Sequence, residues 1–378
     1  LLASFRQRLP IYRNQPIEAD FQASAEEHVL HLAADVQVFD NRLYTLVLTG
    51  NIPKFNVAGT PKRGTGFQFI VEITIDGLII VHFRQVSTTS ISFSGAGLLH
   101  TQNDKTLIQT ISILGCGWLG LPLGQTLARA GYTVKGSTTT TDKLLTLTEA
   151  GISPFLIKAG DNLEGDNLRD FFQTDLLFVN IPPGGRRDPD VEETYPRKVK
   201  AIVEMAMRME VPELVFVSST GVYGNDNTTL DESAALNPST ASGRALVVIE
   251  RYLQLLRAPR STVLRMAGLV GGSRKPGRFL AGKKDIPNGE APVNLVHLDD
   301  CIGLIQSLIK QEAFGHTLNV VADGHPTRAA FYTAQAEKEG LEPPTFKGNK
   351  ELAYKIISNE QAKALLAYTF QHPDPMKF

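Results

Sequence analysis

Apolar and polar positions along this chain follow two rhythms, and the change falls near residue 105. Before it, apolar and polar residues alternate. A period of two sends successive side chains to opposite faces, as in half-buried antiparallel strands. Runs at 29–38 and 43–48 read as strands around the turn-like Asp40-Asn41. Runs at 67–75 and 78–83 flank Asp76-Gly77, a pair that takes positive φ easily and closes a tight hairpin. Residues 51–66, rich in Gly, Pro and Lys, read as a loop, and 95–105 as a linker. From Thr106 the pattern becomes strand, helix, strand, helix. Apolar runs stand at 107–114, 132–135, 176–180 and 214–217, with helical periodicity at 121–130 and 196–209. Continuous apolar strands between helices suit a parallel sheet covered on both faces. The expected fold class is therefore α/β, a doubly wound parallel sheet over 106–378, preceded by a separate β-rich segment over 1–105.

Composition narrows the function classes. The 378 residues hold 38 Lys+Arg against 39 Asp+Glu, a net charge of −1. The first 105 residues are balanced too, at nine of each sign. That balance offers no basic stripe for nucleic acid and no pull toward anionic lipid. Charged residues make up 20% and the apolar set 42%, enough to build a core. Cys116 and Cys301 cannot make a disulfide framework, and no Cys/His group has zinc spacing. His28 and His31 read as ordinary residues of a strand-like segment. No apolar run reaches the ~18 residues of a membrane span. Residues 1–6 carry no basic-then-apolar leader and do not start with Met. A cytoplasmic protein is the expectation.

Gly115-Cys116-Gly117-Trp118-Leu119-Gly120 follows the first strand of the second part and opens a helix. GxGxxG in that context is a dinucleotide fingerprint. Gly115 would make the tight turn, Gly117 would let backbone approach the pyrophosphate, and Gly120 would let helix and strand pack closely. This implies a Rossmann fold with NAD or NADP over residues 115–120, Trp118 and Leu119 included. About 20 residues on, an acidic residue would mark NAD. Here Ser137, Thr138 and Thr139 follow the strand, with Lys143 beyond. Hydroxyls and a cation suit a 2′-phosphate, so NADP stands ahead of NAD.

Ser218-Ser219-Thr220-Gly221-Val222-Tyr223-Gly224 follows the strand at 214–217. With the glycine loop and Val296-His297-Leu298-Asp299-Asp300, it resembles the extended short-chain dehydrogenase/reductase family. Glu232, Pro238, Glu250 and the run 264–271 extend the match. The resemblance implies that Ser219 hydrogen-bonds the reacting oxygen and that Ser218 and Pro182 lie by the cofactor. It also implies a Tyr-x-x-x-Lys pair just before Glu250, where a Lys-assisted phenolate acts as base. This chain has Ser242 and Leu246 there. That departure, with Asn237-Pro238-Ser239-Thr240-Ala241-Ser242-Gly243-Arg244 and Pro276-Gly277-Arg278-Phe279, resembles the atypical YeeZ-type branch of the NAD-dependent epimerase/dehydratase proteins. The same resemblance puts a small cap mainly at 268–295 and 320–378.

The remaining candidates are weaker. Tyr223 and Tyr195 are the phenols available as a base, or as packing residues; water is the third option. Arg186 and Arg187 could grip an anionic substrate or be surface residues of their loop. Arg274 and Arg278, in a basic Gly-rich loop, offer planar forks for carboxylate or phosphate. Asp299 is expected to cap the next helix, and Cys116 to be structural. The leading expectation is an NAD(P)-dependent oxidoreductase or epimerase-like enzyme on a small carbonyl, aldehyde or sugar substrate. The alternative is a non-catalytic NAD(P)-binding sensor or scaffold. No metal, nucleic acid or membrane partner is expected; a homodimer is allowed for.

Overall fold

In the computed structural model the described residues are 17–25, 28–36, 44–49, 57–58, 67–74, 78–85, 108–184, 188–348 and 352–378. By backbone contacts the chain divides into two units, 1–102 and 103–378. The first contains β1 (Ile17–Ala25), β2 (His28–Val36), β3 (Tyr44–Thr49), β4 (Val57–Ala58), β5 (Phe67–Thr74) and β6 (Leu78–Gln85). One antiparallel sheet has the order β2-β1-β4, the other β3-β6-β5. Thr74 opposite Leu78 closes the β5–β6 hairpin, while its turn at 75–77 lies outside the described residues. Two strands depart from the expected pattern. β1 falls in a stretch without a clean apolar run, and β4 sits inside the expected loop at 51–66, where it pairs with β1.

The second unit starts with β7 (Thr110–Leu114), α1 (Gly120–Arg129), β8 (Thr133–Thr138), α2 (Leu144–Glu149), β9 (Ser153–Ala159), β10 (Leu163–Gly165), α3 (Leu168–Phe172) and β11 (Leu176–Val179). It continues with α4 (Val191–Arg208), β12 (Glu213–Ser219), β13 (Thr229–Leu230), α5 (Ala241–Gln254), β14 (Arg260–Met266) and β15 (Gly268–Val270). Then come α6 (Gly277–Leu280), β16 (Leu295–His297), α7 (Leu298–Gln311), β17 (Thr317–Val320), α8 (Arg328–Lys338), β18 (Ile356–Ile357) and α9 (Glu360–Leu366).

Eight strands form one sheet in the order β10-β9-β8-β7-β11-β12-β14-β17. All neighbours are parallel except β10, which pairs antiparallel with β9 at the edge. Every side chain of β11 is buried, as a strand covered on both faces requires. The chain runs outward from β7 through β8 and β9 to β10 at the edge, then crosses to β11 on the other side of β7. The strand order reverses there, and in open α/β sheets ligands bind outside the carboxyl ends of strands at such a point.

Helix α4 starts five residues earlier than its periodicity suggested and carries Pro196 inside it. Proline removes the bond to the carbonyl four residues back. Val191 and Tyr195, one turn apart, are both buried. Their burial outweighs one missing bond in the first turns. A second, smaller apolar cluster joins Val270, Val293, Leu295 and Phe331, with Tyr332 and Phe378 against it. No helix among the described residues is long and apolar enough to cross a membrane.

Candidate functional site

The turn between β7 and α1 is built by exclusion. Gly115 has φ +105°, and a Cβ there would stand 2.6 Å from the Asn180 carbonyl oxygen. A Cβ on Gly120 would press into the Gly115 carbonyl oxygen, so helix and turn close on each other only as glycines. Gly117 is different: a Cβ there would meet nothing within 4 Å. Its backbone faces open space, at the carboxyl edge where the strand order reverses. The start of α1 has no side-chain cap and no acidic residue in its first turn. Its positive end is thus available to an anion. These features fit a dinucleotide pyrophosphate.

Ser137 works beneath this turn. Its hydroxyl accepts from the Gly115 N–H at 2.9 Å, and its carbonyl accepts from the Cys116 N–H at 2.9 Å. Asn180, just past β11, donates from Nδ2 to the Gly115 carbonyl at 3.1 Å. Thr138 is buried, with its hydroxyl beside Thr140, whereas Thr139 and Lys143 are exposed. Burial pushes the Cys116 thiol up to about 12, so it is a packed hydrophobe rather than a nucleophile. Trp118 leans the other way. Its indole N–H donates to the Gly271 carbonyl at 3.1 Å, and the Arg274 guanidinium lies 4.5 Å over its ring. Leu119 is buried and Pro182 exposed.

Strand β12 delivers the serines. The Ser218 hydroxyl is 2.5 Å from Glu250 Oε1 and points into the interior. Ser219 sits at the strand end, where Oγ accepts from the Gly221 N–H at 3.0 Å. That bond uses a lone pair and leaves the hydroxyl hydrogen for another acceptor. Helix α5 abuts this turn: a Cβ on Gly243 would stand 2.6 Å from the Gly221 carbonyl oxygen. Ser242 and Leu246 lie on this end of α5, Leu246 buried.

Neither phenol is placed as a base. Tyr223 is buried, donates to Asn319 Oδ1 at 2.9 Å and accepts from Arg265 Nη1 at 2.6 Å. Burial raises its pKa, and Arg265 offsets that only in part. Tyr195 is buried, donates to the Ile181 carbonyl at 2.7 Å and is likewise raised by burial. It braces the loop after β11. Of the two roles open to these phenols, base or packing residue, both hydroxyls have the partners of a packing residue.

Around Tyr223 lies a polar network whose role the sequence pattern did not reveal. Arg265 and Glu250 form an ion pair at 2.7 Å, with side chains 3% and 0% exposed. The Asn319 N–H donates to Glu232 Oε1 at 2.7 Å, and Lys355 Nζ donates to the Tyr223 carbonyl at 2.7 Å. Glu232 and Glu250 stood among the family-like positions, but only the fold shows whom they meet.

The remaining candidates scatter. Arg186 and Arg187 lie outside the described residues. Arg278 is exposed and 3.7 Å from Glu339. The cap of α7 is not Asp299. His297 precedes the helix, and its Nδ1 accepts from the Asp299 N–H at 3.3 Å. An imidazole lone pair does the work expected of a carboxylate, because Asp299 already lies inside the first turn.

No protein-family model matches the chain. In sequence it is similar to protein YeeZ of Escherichia coli K12, with 39% identity over 272 residues. That match covers 71% of this chain and 98% of YeeZ. In structure it is similar to a functionally unknown conserved protein from Silicibacter pomeroyi, with TM-score 0.59 and 21% identity over 71% of this chain and 96% of that one. It is also similar to UDP-glucuronic acid 4-epimerase from Bacillus cereus in complex with NAD, with TM-score 0.59 and 16% identity over 71% and 94% of the two chains. At these identities the two structures establish the fold alone.

Proposed function

The chain belongs to the family of protein YeeZ, and from that premise we propose that it is an atypical extended short-chain dehydrogenase/reductase that binds a nicotinamide dinucleotide and acts on a small carbonyl, aldehyde or sugar-type substrate. The observation that carries this reading is the open backbone at Gly117 beside a turn only glycines can make. The epimerase from Bacillus cereus, which shares the fold, is in complex with NAD. When bound, the nicotinamide supplies hydride-transfer chemistry.

This chain's residues have the following roles. The N–H groups of residues 118–120 and the start of α1 hold the pyrophosphate, and Gly117, whose own N–H is donated to the Gly115 carbonyl, lets it come close. Thr139 and Lys143, both exposed, favour a 2′-phosphate and hence NADP over NAD, while Ser137 supports the turn from below. Ser219 donates its free hydrogen to the substrate oxygen. Arg274, over Trp118 at the loop edge, meets an anionic part of the substrate. Arg186 and Arg278 are weaker candidates for the same task. Water or a substrate group takes the place of the missing phenol.

Titration of NADH and NADPH against the protein and its Gly117→Val variant tests the cofactor site. The valine side chain fills the open space, so affinity for both should drop at least about tenfold. Equal affinity in variant and parent refutes the site; tighter NADH than NADPH refutes the 2′-phosphate reading.

The sensor reading is favoured by one observation: Ser242 and Leu246 replace the acid–base pair while both nearby phenols are committed elsewhere. A positioned general base contributes roughly 10²–10⁴-fold. Turnover should therefore be slow, cut further by Ser219→Ala and unchanged by Ser242→Ala. Tight cofactor binding without turnover across a broad carbonyl and sugar screen would favour the sensor.

A further inference from the structure

A second cluster of chemically capable side chains lies where β16 meets α7. His297 precedes the helix, Asp299 is in its first turn, and His372 arrives from the C-terminal segment. Asp299 Oδ2 stands 3.4 Å from His297 Nδ1 and 3.2 Å from His372 Nε2. One ligand atom from each residue falls within 4.8 Å of the others. We propose that His297, Asp299 and His372 form a three-ligand site for a divalent transition-metal cation of the Zn²⁺ class.

The geometry suits that ion. Bonds of about 2.0–2.2 Å at tetrahedral angles place neighbouring ligand atoms about 3.3–3.5 Å apart. Both edges through Asp299 are close to that length. Two imidazole nitrogens and one carboxylate oxygen select Zn²⁺ and its neighbours over Mg²⁺ and Ca²⁺, which prefer all-oxygen shells. Asp299 is 55% and His372 36% exposed, so an ion can enter and a fourth position faces water.

The ligands are also held in place from behind. Asp300 is buried and accepts from the N–H groups of Gln371 at 2.6 Å and His372 at 2.9 Å. This fixes the His372 backbone next to Asp299. Gly271 lies against the His297 ring, where a Cβ would come within 2.6 Å of Nε2. The two imidazole centroids are 4.0 Å apart, with the Phe378 ring beside them. Binding displaces two contacts, the 3.3 Å bond that His297 Nδ1 accepts from the Asp299 N–H and the 3.2 Å hydrogen bond between His372 Nε2 and Asp299 Oδ2. Such an ion would clip the C-terminal segment to the β16–α7 junction. Through Gly271, whose carbonyl receives the Trp118 indole N–H, the clip reaches the dinucleotide loop.

Calorimetric titration of the full chain with ZnCl₂, alongside Asp299→Asn and His372→Gln, tests the site. The expected result is saturable binding weakened about tenfold or more in each variant, with a rise in melting temperature that is smaller in each variant than in the parent at the same zinc concentration. Magnesium chloride should give neither effect. Asp299→Asn alters an exposed side chain, and His372→Gln keeps the backbone bonds to Asp300, so both should fold, as circular dichroism will verify. Should one fail, the other decides. Absent binding in the parent, or unchanged affinity in a folded variant, overturns the proposal.

Discussion

Arg265→Met probes the interior on which the β12 serines rest. Arg265 donates to both Glu250 oxygens, with bonds of 2.7 and 3.1 Å to Oε2 and 3.3 Å to Oε1, and to the Tyr223 hydroxyl at 2.6 Å. Its guanidinium lies 5.0 Å over the Tyr223 ring. Methionine keeps most of the stem and removes every one of these donors. Glu250, fully buried, would then keep only the Ser218 hydroxyl at 2.5 Å. Leaving one member of a buried pair alone costs about 3–5 kcal/mol. That is a large share of the 5–15 kcal/mol by which a domain is typically stable.

The chain supplies its own reporter. Trp118 is the sole tryptophan and lies in the second unit, so urea unfolding followed by its fluorescence reads that unit. The expected fall in midpoint is about 1–2 M. Arg265→Met combined with Glu250→Leu removes both charges and should recover a substantial part of the loss, because an apolar pair pays no ionic desolvation. A single variant within about 1 kcal/mol of the parent, or a double variant weaker than the single, would refute the view that an uncompensated buried carboxylate is the problem.

Two further outcomes are expected. Asp300→Ala strands the Tyr368 hydroxyl and the N–H groups of Gln371 and His372. At roughly 1–3 kcal/mol per buried unpaired donor, it should destabilise the C-terminal segment and make it an early cleavage site in limited proteolysis. Burial lowers the His325 pKa, and its Nδ1 is buried with no hydrogen-bond partner, so the folded state disfavours the imidazolium. The unfolded chain binds that proton more readily near pH 6.5, so the contribution is full above that pH and is lost as pH falls below it. Melting temperature should decline from pH 7 to pH 5, and less steeply in His325→Phe.

Local pattern carried the parts of the fold in which a residue's neighbours in sequence decide its state. The β7 turn was legible because three glycines at fixed spacing have one common use after a strand. The parallel sheet was legible from apolar runs too continuous for a one-sided strand. Other features depended on distant partners. Pro196 marked a helix start on local grounds, yet burial of Val191 and Tyr195 carried α4 back past it. Tyr223 offered a phenol on paper, whereas Arg265 and Asn319, far along the chain, claim its oxygen. Ser137 had the chemistry to meet a phosphate, but it is buried beneath the turn, where its hydroxyl accepts from the Gly115 N–H. His297 and His372 carry no joint signal in the sequence, because the meeting depends on Asp300 drawing the C-terminal segment back across α7.

Two contacts position the start of α5, where Ser242 and Leu246 lie. Gly243 presses the start of α5 onto the turn after Ser219, and Glu250, further along the same helix, is fixed to Ser218 and Arg265. Those two anchors hold α5 on either side of Leu246, the first of them one residue past Ser242. Residues four apart share a helix face, so the stretch keeps the spacing that a Tyr-Lys pair would use. Ser242 and Leu246 offer neither an acidic hydroxyl nor a cation to tune one. Leu246 is buried in the apolar core, and an ammonium in its place would lose its hydration there. Introducing both groups by Ser242→Tyr and Leu246→Lys would therefore place a lysine where the fold has closed over an apolar side chain, so the double variant should lose stability in urea unfolding.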